Sequence, residues 1–227
     1  MLHGVLTQRQ FGSSGNAASA LIDFDFLLGT YFVNGAAVSL TDVLDLNPSW
    51  VTANGLEILY TNGPGVIDVI GAALAEFTSR SEWTLVLEVD TTGSGNAQVN
   101  FIWGTEAVDA NNDRFFFYRN SSGGLFYTNA LDERGGASRS VQESAEPMTP
   151  AGVHRLAGTL SNTELSISCN GSAVSTSVDT DPTNPWQIDG VSLGGEPGFN
   201  IDSDYYLRSL ILYEPLAASD LPALSAA

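Results

Sequence analysis

Residues 153–178 read VHRLAGTLSNTELSISCNGSAVSTSV, and this stretch decides the fold. Val153 to Leu160 is an apolar-rich run of strand length. In Glu164 to Cys169, Leu165, Ile167 and Cys169 recur every second residue, so they share one face of a strand. Asn170-Gly171 follows, the strongest short hairpin signal in the chain, because both residues tolerate positive φ. Ser172 to Val178 is then the returning strand. Outward from this hairpin the same texture continues. Trp83 to Asp90 alternates cleanly, and so does Leu21 to Phe26, where Phe24 and Phe26 fall on one face. Further strands are expected at residues 31–33, 56–60, 66–70, 97–103, 114–119, 124–128, 191–193 and 206–213. Asn34-Gly35 marks a second tight turn. Short helical turns fit 41–46 and the stretch from Gly71 to Phe77. Gly, Ser, Asn and Asp fill the gaps at intervals of roughly 8–12 residues, the spacing of an antiparallel sandwich or barrel. No long helix and no parallel βαβ unit can be drawn.

Composition limits the partners. The 227 residues carry 8 Lys+Arg against 26 Asp+Glu, a formal charge of −18, and all eight cations are arginines. Nucleic-acid binding needs a basic face to neutralise phosphates, and no window supplies one. An anionic membrane surface would repel the chain for the same reason, and no run reaches the roughly 18 apolar residues of a membrane span. At 43% hydrophobic the chain has enough apolar surface for a core. The single cysteine, Cys169, excludes an internal disulfide or a cysteine-built zinc site and is expected as a small buried hydrophobe. Residues 1–20 are small and polar, which reads as a flexible or partner-ordered arm. Residues 21–49 are expected as a lead-in or docking segment and 50–224 as the sandwich. The N-terminus lacks a basic region followed by an apolar one, so no secretory signal is expected.

Three ordered stretches resemble concanavalin A-like, laminin-G-like jelly rolls. They are Ser81 to Val89, the pair 153–160 and 165–174 with its Asn170-Gly171 turn, and the closing series Val191 to Gly195, Leu207 to Tyr213 and Leu216 to Leu224. The resemblance implies an all-β, antiparallel jelly-roll sandwich with an N-terminal arm. Residues 21–46, LIDFDFLLGTYFVNGAAVSLTDVLDL, are similar to the lead-in of tailed-bacteriophage virion proteins that carry such domains. That similarity implies a non-enzymatic virion protein, made in the host cytoplasm and present in multiple copies. It would dock on other virion proteins through its N-terminal segment and meet host-surface glycans through the sandwich. The rivals are a polysaccharide-degrading enzyme of the same fold and inert capsid cladding.

The enzyme reading is weakened by one position. Retaining glucanases of this fold carry a signature resembling Glu-x-Asp-x-x-Glu, with both carboxylates on one strand face. Here Glu88-Val89-Asp90 is followed by Gly93 where the acid/base glutamate belongs. Glu88 and Asp90 are therefore expected as outward-facing polar residues at a strand end. His3 and His154 have no nucleophile-elbow partner. For sugar stacking, Trp186 in a polar loop and Tyr205 are the expected aromatic faces. Calcium needs six to eight oxygen ligands, and Asp109, Asn111 and Asp113 concentrate such donors within one loop. If that loop holds calcium, the ion stabilises the fold by about 2.7 kcal/mol at a hundredfold excess over Kd. Thermal unfolding in calcium against NaCl of equal ionic strength should show this increment, and Asp109→Ala with Asp113→Ala should abolish it.

Overall fold

The computed structural model describes residues 10–11, 18–58, 66–91, 99–105, 114–122, 125–134, 137–143, 152–178, 188–194 and 205–226. The chain before the first long segment forms β1 (Gln10–Phe11) and β2 (Ala18–Ser19), which pair with each other. Then come β3 (Ile22–Asp25), β4 (Thr30–Val33), β5 (Ala36–Ala37), β6 (Val51–Thr52), β7 (Gly55–Ile58) and β8 (Ile67–Asp68). Helix α1 (Gly71–Thr78) leads into β9 (Trp83–Asp90), β10 (Val99–Thr105), β11 (Arg114–Ser122), β12 (Leu125–Arg134) and β13 (Ala137–Glu143). The chain closes with β14 (Val153–Leu160), β15 (Glu164–Cys169), β16 (Ser175–Val178), β17 (Gly190–Leu193), β18 (Tyr205–Tyr213) and the short helix α2 (Leu221–Ser225).

These strands form two antiparallel sheets packed as a sandwich. The larger runs β16-β15-β14-β9-β18-β3-β4-β5, with β7 sharing the edge of β18 alongside β3. The smaller runs β13-β12-β11-β10-β17-β8. The expected jelly-roll sandwich is the observed fold. Trp83, Leu85, Leu87 and Val89 of β9 point to the smaller sheet and are at most 2% exposed. They meet Phe115 and Phe117 of β11, with the Trp83 and Phe115 rings 4.8 Å apart in an edge-on arrangement. Cys169 is fully buried on the same inner face, as expected.

Residues 21–46 do not form a separate lead-in. β3 pairs with β18 residue by residue, Ile22 with Leu212 through Asp25 with Ser209, and Ile22, Phe24 and Phe26 are buried in the common core. The apolar alternation of Leu21 to Phe26 therefore serves the sandwich itself. Strand β13 is a second departure. Its sequence, ASRSVQE, has no apolar alternation, and its place is set by pairing with β12 from Arg134–Ala137 to Thr128–Glu143.

The back of the larger sheet is half covered. The segment after β18 crosses it, and α2 lays Leu221 and Leu224 on Val86, Ala157, Ile211 and Tyr213. Hydroxyl groups fasten this strap. Thr84 Oγ1 accepts from Leu216 N at 2.9 Å and donates to Thr159 Oγ1 at 2.8 Å, and Thr159 donates on to the Leu216 carbonyl at 3.2 Å. Farther along, Ser225 Oγ lies 2.8 Å from Ser168 Oγ and accepts from Gly171 N at 3.0 Å. All members of this buried chain of hydroxyls have partners, which is what makes a polar layer under a covering segment tolerable.

Two glycines leave room for aromatic rings of the core. A Cβ on Gly158 of β14 would collide with the Phe117 ring of the facing sheet, and one on Gly104 would collide with Phe115 across the strand pair. Gly158→Val forces an overfilled core and should cost at least about 1–3 kcal/mol, read as a lowered midpoint in urea unfolding.

Candidate ligand-binding face

With the inner face buried and part of the back covered by the strap, the described residues leave a polar area on the back of the larger sheet. Period two puts Glu88 and Asp90 of β9 on that back face, opposite in direction to Leu87 and Val89. Across the register, Glu88 stands beside Arg155 of β14, and Asp90 beside Val153. On the other side Asp90 stands beside Tyr206 of β18, which in turn stands beside Glu57 of β7. The expectation that Glu88 and Asp90 face outward is met.

Strand β18 is irregular at this point. Leu207 pairs with Val89 but Ser209 pairs with Glu88, so Arg208 is the extra residue of a β-bulge. A bulge re-aims one side chain and is common beside functional sites. Here Arg208 Nη1 lies 3.5 Å from Glu88 Oε1, and both side chains are about a quarter exposed. Gly55 makes the bulge possible from the other flank. Its φ is +119°, and a Cβ there would lie 2.6 Å from the Leu207 carbonyl oxygen. The backbone of β7 can thus run directly against β18.

The second arginine is fixed through its backbone. Arg155 N donates to Asn170 Oδ1 at 3.0 Å, and Asn170 N donates to the Arg155 carbonyl at 2.9 Å. Asn170 adopts φ of 53° in the Asn-Gly turn, and its Nδ2 lies 3.1 Å from Nδ1 of the buried His154. His154 thus serves as a support for the turn. Two of the chain's eight arginines stand on either side of one glutamate on this face, in a protein of net charge −18. Such an arrangement presents guanidinium forks suited to a carboxylate, with carboxylates and a phenol nearby for hydroxyl groups. Tyr206 donates to Glu57 Oε1 at 3.3 Å. Burial, then the charges of Glu57 and Asp90, push its phenol above the usual range, so it stays a neutral donor.

Tyr205 was expected to offer a ring to sugars, and the structure corrects this. It is 1% exposed, its hydroxyl donates to the Phe101 carbonyl at 2.8 Å, and its ring meets Phe101 edge-on at 5.3 Å. Adjacent strand residues face opposite sides, so Tyr206 has the surface position and Tyr205 the core. Trp186 and the calcium candidates Asp109, Asn111 and Asp113 lie outside the described residues. Among the described residues no group of three His, Cys, Asp or Glu is placed to hold a metal ion, and no helix is long and apolar enough to cross a membrane. Arg155, Arg208 and Glu57 were not singled out from the sequence. The available signal was the scarcity of cations, eight arginines in 227 residues, which by itself does not separate these two from the other arginines in strands.

No protein-family model matches the chain, and no curated protein matches it. Solved structures do. The CBM40 domain of the Ruminococcus gnavus IT-sialidase, bound to α2,3-sialyllactose, superposes with a TM-score of 0.54 at 17% identity, over 76% of this chain and 93% of that one. The binding domain of botulinum neurotoxin serotype D/C gives 0.55 at 9% identity, over 90% of this chain and 51% of that one. A botulinum neurotoxin type C chain, described as entering cells through interaction with two ganglioside molecules, gives 0.54 at 11% identity over 84% and 48%. The chain spans about half the length of the toxin chains. At these identities the likeness is one of fold, a lectin-like β-sandwich.

Tyr205 supplies a test of the core assignment. Burial pushes its phenol far above the ordinary value near 10, whereas in the unfolded chain it ionises near 10. Its contribution to stability is complete below about pH 10 and falls as pH rises above that value, because the unfolded state then loses a proton that the folded state keeps. Urea unfolding between pH 8 and 11 should show this alkaline decline. Tyr205→Phe should be less stable at neutral pH by about 1 kcal/mol, from the lost hydrogen bond, yet decline less steeply.

Proposed function

We propose that this protein is a non-catalytic lectin-like domain that binds acidic glycans on the open half of its larger sheet. The observation that carries the reading is the placement of Arg155 and bulged Arg208 around Glu88, on the polar face that the strap leaves uncovered. A carboxylate on the ligand would take the guanidinium of Arg208 in exchange for its 3.5 Å pairing with Glu88. Sugar hydroxyls would find acceptors in Glu57, Asp90 and the released Glu88, and a donor in the neutral Tyr206. The fold shared with a sialyllactose-bound module supports this class of ligand.

The same reading makes the protein a component of a tailed-bacteriophage virion, displayed in many copies. The support for that part is the similarity of residues 21–46 to such proteins. Because those residues belong to the sandwich, attachment to other virion proteins falls to the segment before Ala20. Weak sites repeated over a particle act together, since each binding event after the first is effectively intramolecular.

A glycan array probed with the domain on a multivalent carrier tests the binding. Retention should concentrate on carboxylated glycans, and Arg208→Ala or Arg155→Ala should lower affinity for them about tenfold or more, as expected for a lost charge-assisted pair. No retention of any glycan by the parent would favour inert cladding, and undiminished binding by both variants would move the site elsewhere.

A further inference from the structure

We infer that the ligand of this face carries acyl groups beside its carboxylate, held by apolar side chains that border the two arginines. The inference rests on the glycan-binding reading and deepens it. Among the described residues, the large apolar side chains exposed on the surface are Leu27 at 40%, Leu28 at 72%, Val153 at 46% and Val178 at 65%. A single exposed leucine is ordinary. Here three of the four border one row of charges. Val153 stands beside Asp90 and, two residues from Arg155 on the same strand, shares its face. Leu27 and Leu28 form the turn after β3, where Asp25 pairs with Ser209 and Phe26 N donates to the Arg208 carbonyl at 3.0 Å.

The leucine turn is held rigid. Asp25 Oδ1 accepts from Leu27 N at 3.1 Å and from Leu28 N at 2.9 Å, and Gly29 completes the turn at φ +65°. Phe26 is buried beneath it against Phe24 and Tyr31. Holding two leucines in water on a fixed tip gains no burial, and ordering them costs nothing further when a ligand arrives. From β3 through β18 and β9 to β14 there are three strand spacings, so the apolar borders stand about 14 Å apart, with Arg208 and Glu88 between them and Arg155 beside Val153 on the far strand. That layout fits an oligosaccharide, its carboxylate central and its small apolar substituents lateral. Acetyl and similar acyl groups on hydroxyls are small apolar substituents of this kind, and they leave the sugar's carboxylate charge unchanged.

The test uses a hexuronate oligosaccharide bearing O-acetyl esters and the same material after mild alkaline removal of those esters, with sialyllactose as a second carboxylated probe. Calorimetric titration of the parent should give three- to tenfold tighter binding of the acetylated form. Leu28→Asn with Val153→Thr changes exposed positions, so its unfolding midpoint should match the parent's. This variant should bind both forms alike, at the parent's affinity for the de-esterified one. Equal binding of the two forms by the parent, or a preference that survives in the variant, would overturn the inference. So would failure of the parent to bind the acetylated probe. Sialyllactose binding that is lost in Arg208→Ala would in those cases leave the glycan-binding reading standing, and its absence would remove both.

Discussion

The pairing of β18 with strands from the start of the chain is the constraint on which the rest of the structure depends. Tyr205–Tyr213 lies between β9 on one side and β3 and β7 on the other. Its inner residues Leu207, Leu210 and Leu212 enter the main core, and its outer residues Ile211 and Tyr213 lie under the strap. Neither β3 nor β7 has its full hydrogen-bond complement without it, and the strap that follows it runs back across β9, β14 and β15. Contacts that join residues this far apart in sequence must overcome a large loop-closure entropy before they are rewarded, the pattern of slow-folding β proteins. The aromatic cluster of Phe77, Trp83, Phe115 and Phe117 then ties the two sheets together.

The same strand connects stability to recognition. A regular β18 would place every side chain by strict alternation, and the back face would continue as the apolar lane that the strap covers. The bulge at Arg208 breaks that alternation where the strap ends and turns a cation onto the surface. Gly55, Asn170 and Asp25 each hold a neighbouring piece of backbone in place: the edge strand, the turn beneath Arg155 and the leucine turn. The face is thus assembled from four strands and two turns, all of which rest on the core.

Much of the fold was legible in the sequence. The alternation of Trp83 to Asp90 matched β9 residue for residue, Asn34-Gly35 and Asn170-Gly171 formed tight turns with positive φ, and Gly71 to Phe77 formed the one substantial described helix. What local pattern could not convey was pairing over distance. Nothing in LIDFDF says that its partner lies some 185 residues later, so it read as a lead-in. Strand β13 has no apolar alternation to read. The site was less legible for the same reason. Period two says that Tyr205 and Tyr206 face opposite sides but not which one faces the core, and the bulge shifts the phase beside them. Arg155 and Arg208 become neighbours of Glu88 only when three strands are in register.

Nuclear magnetic resonance titration of the 15N-labelled domain with sialyllactose would show which face binds, because it locates a weak ligand without relying on a substitution. Shift changes should cluster at Glu57, Glu88, Arg155, Tyr206 and Arg208, with the strap residues Leu221 to Ser225 and the smaller sheet unmoved. Changes centred on the strap or on the smaller sheet, with the Arg208 bulge silent, would contradict the proposed site.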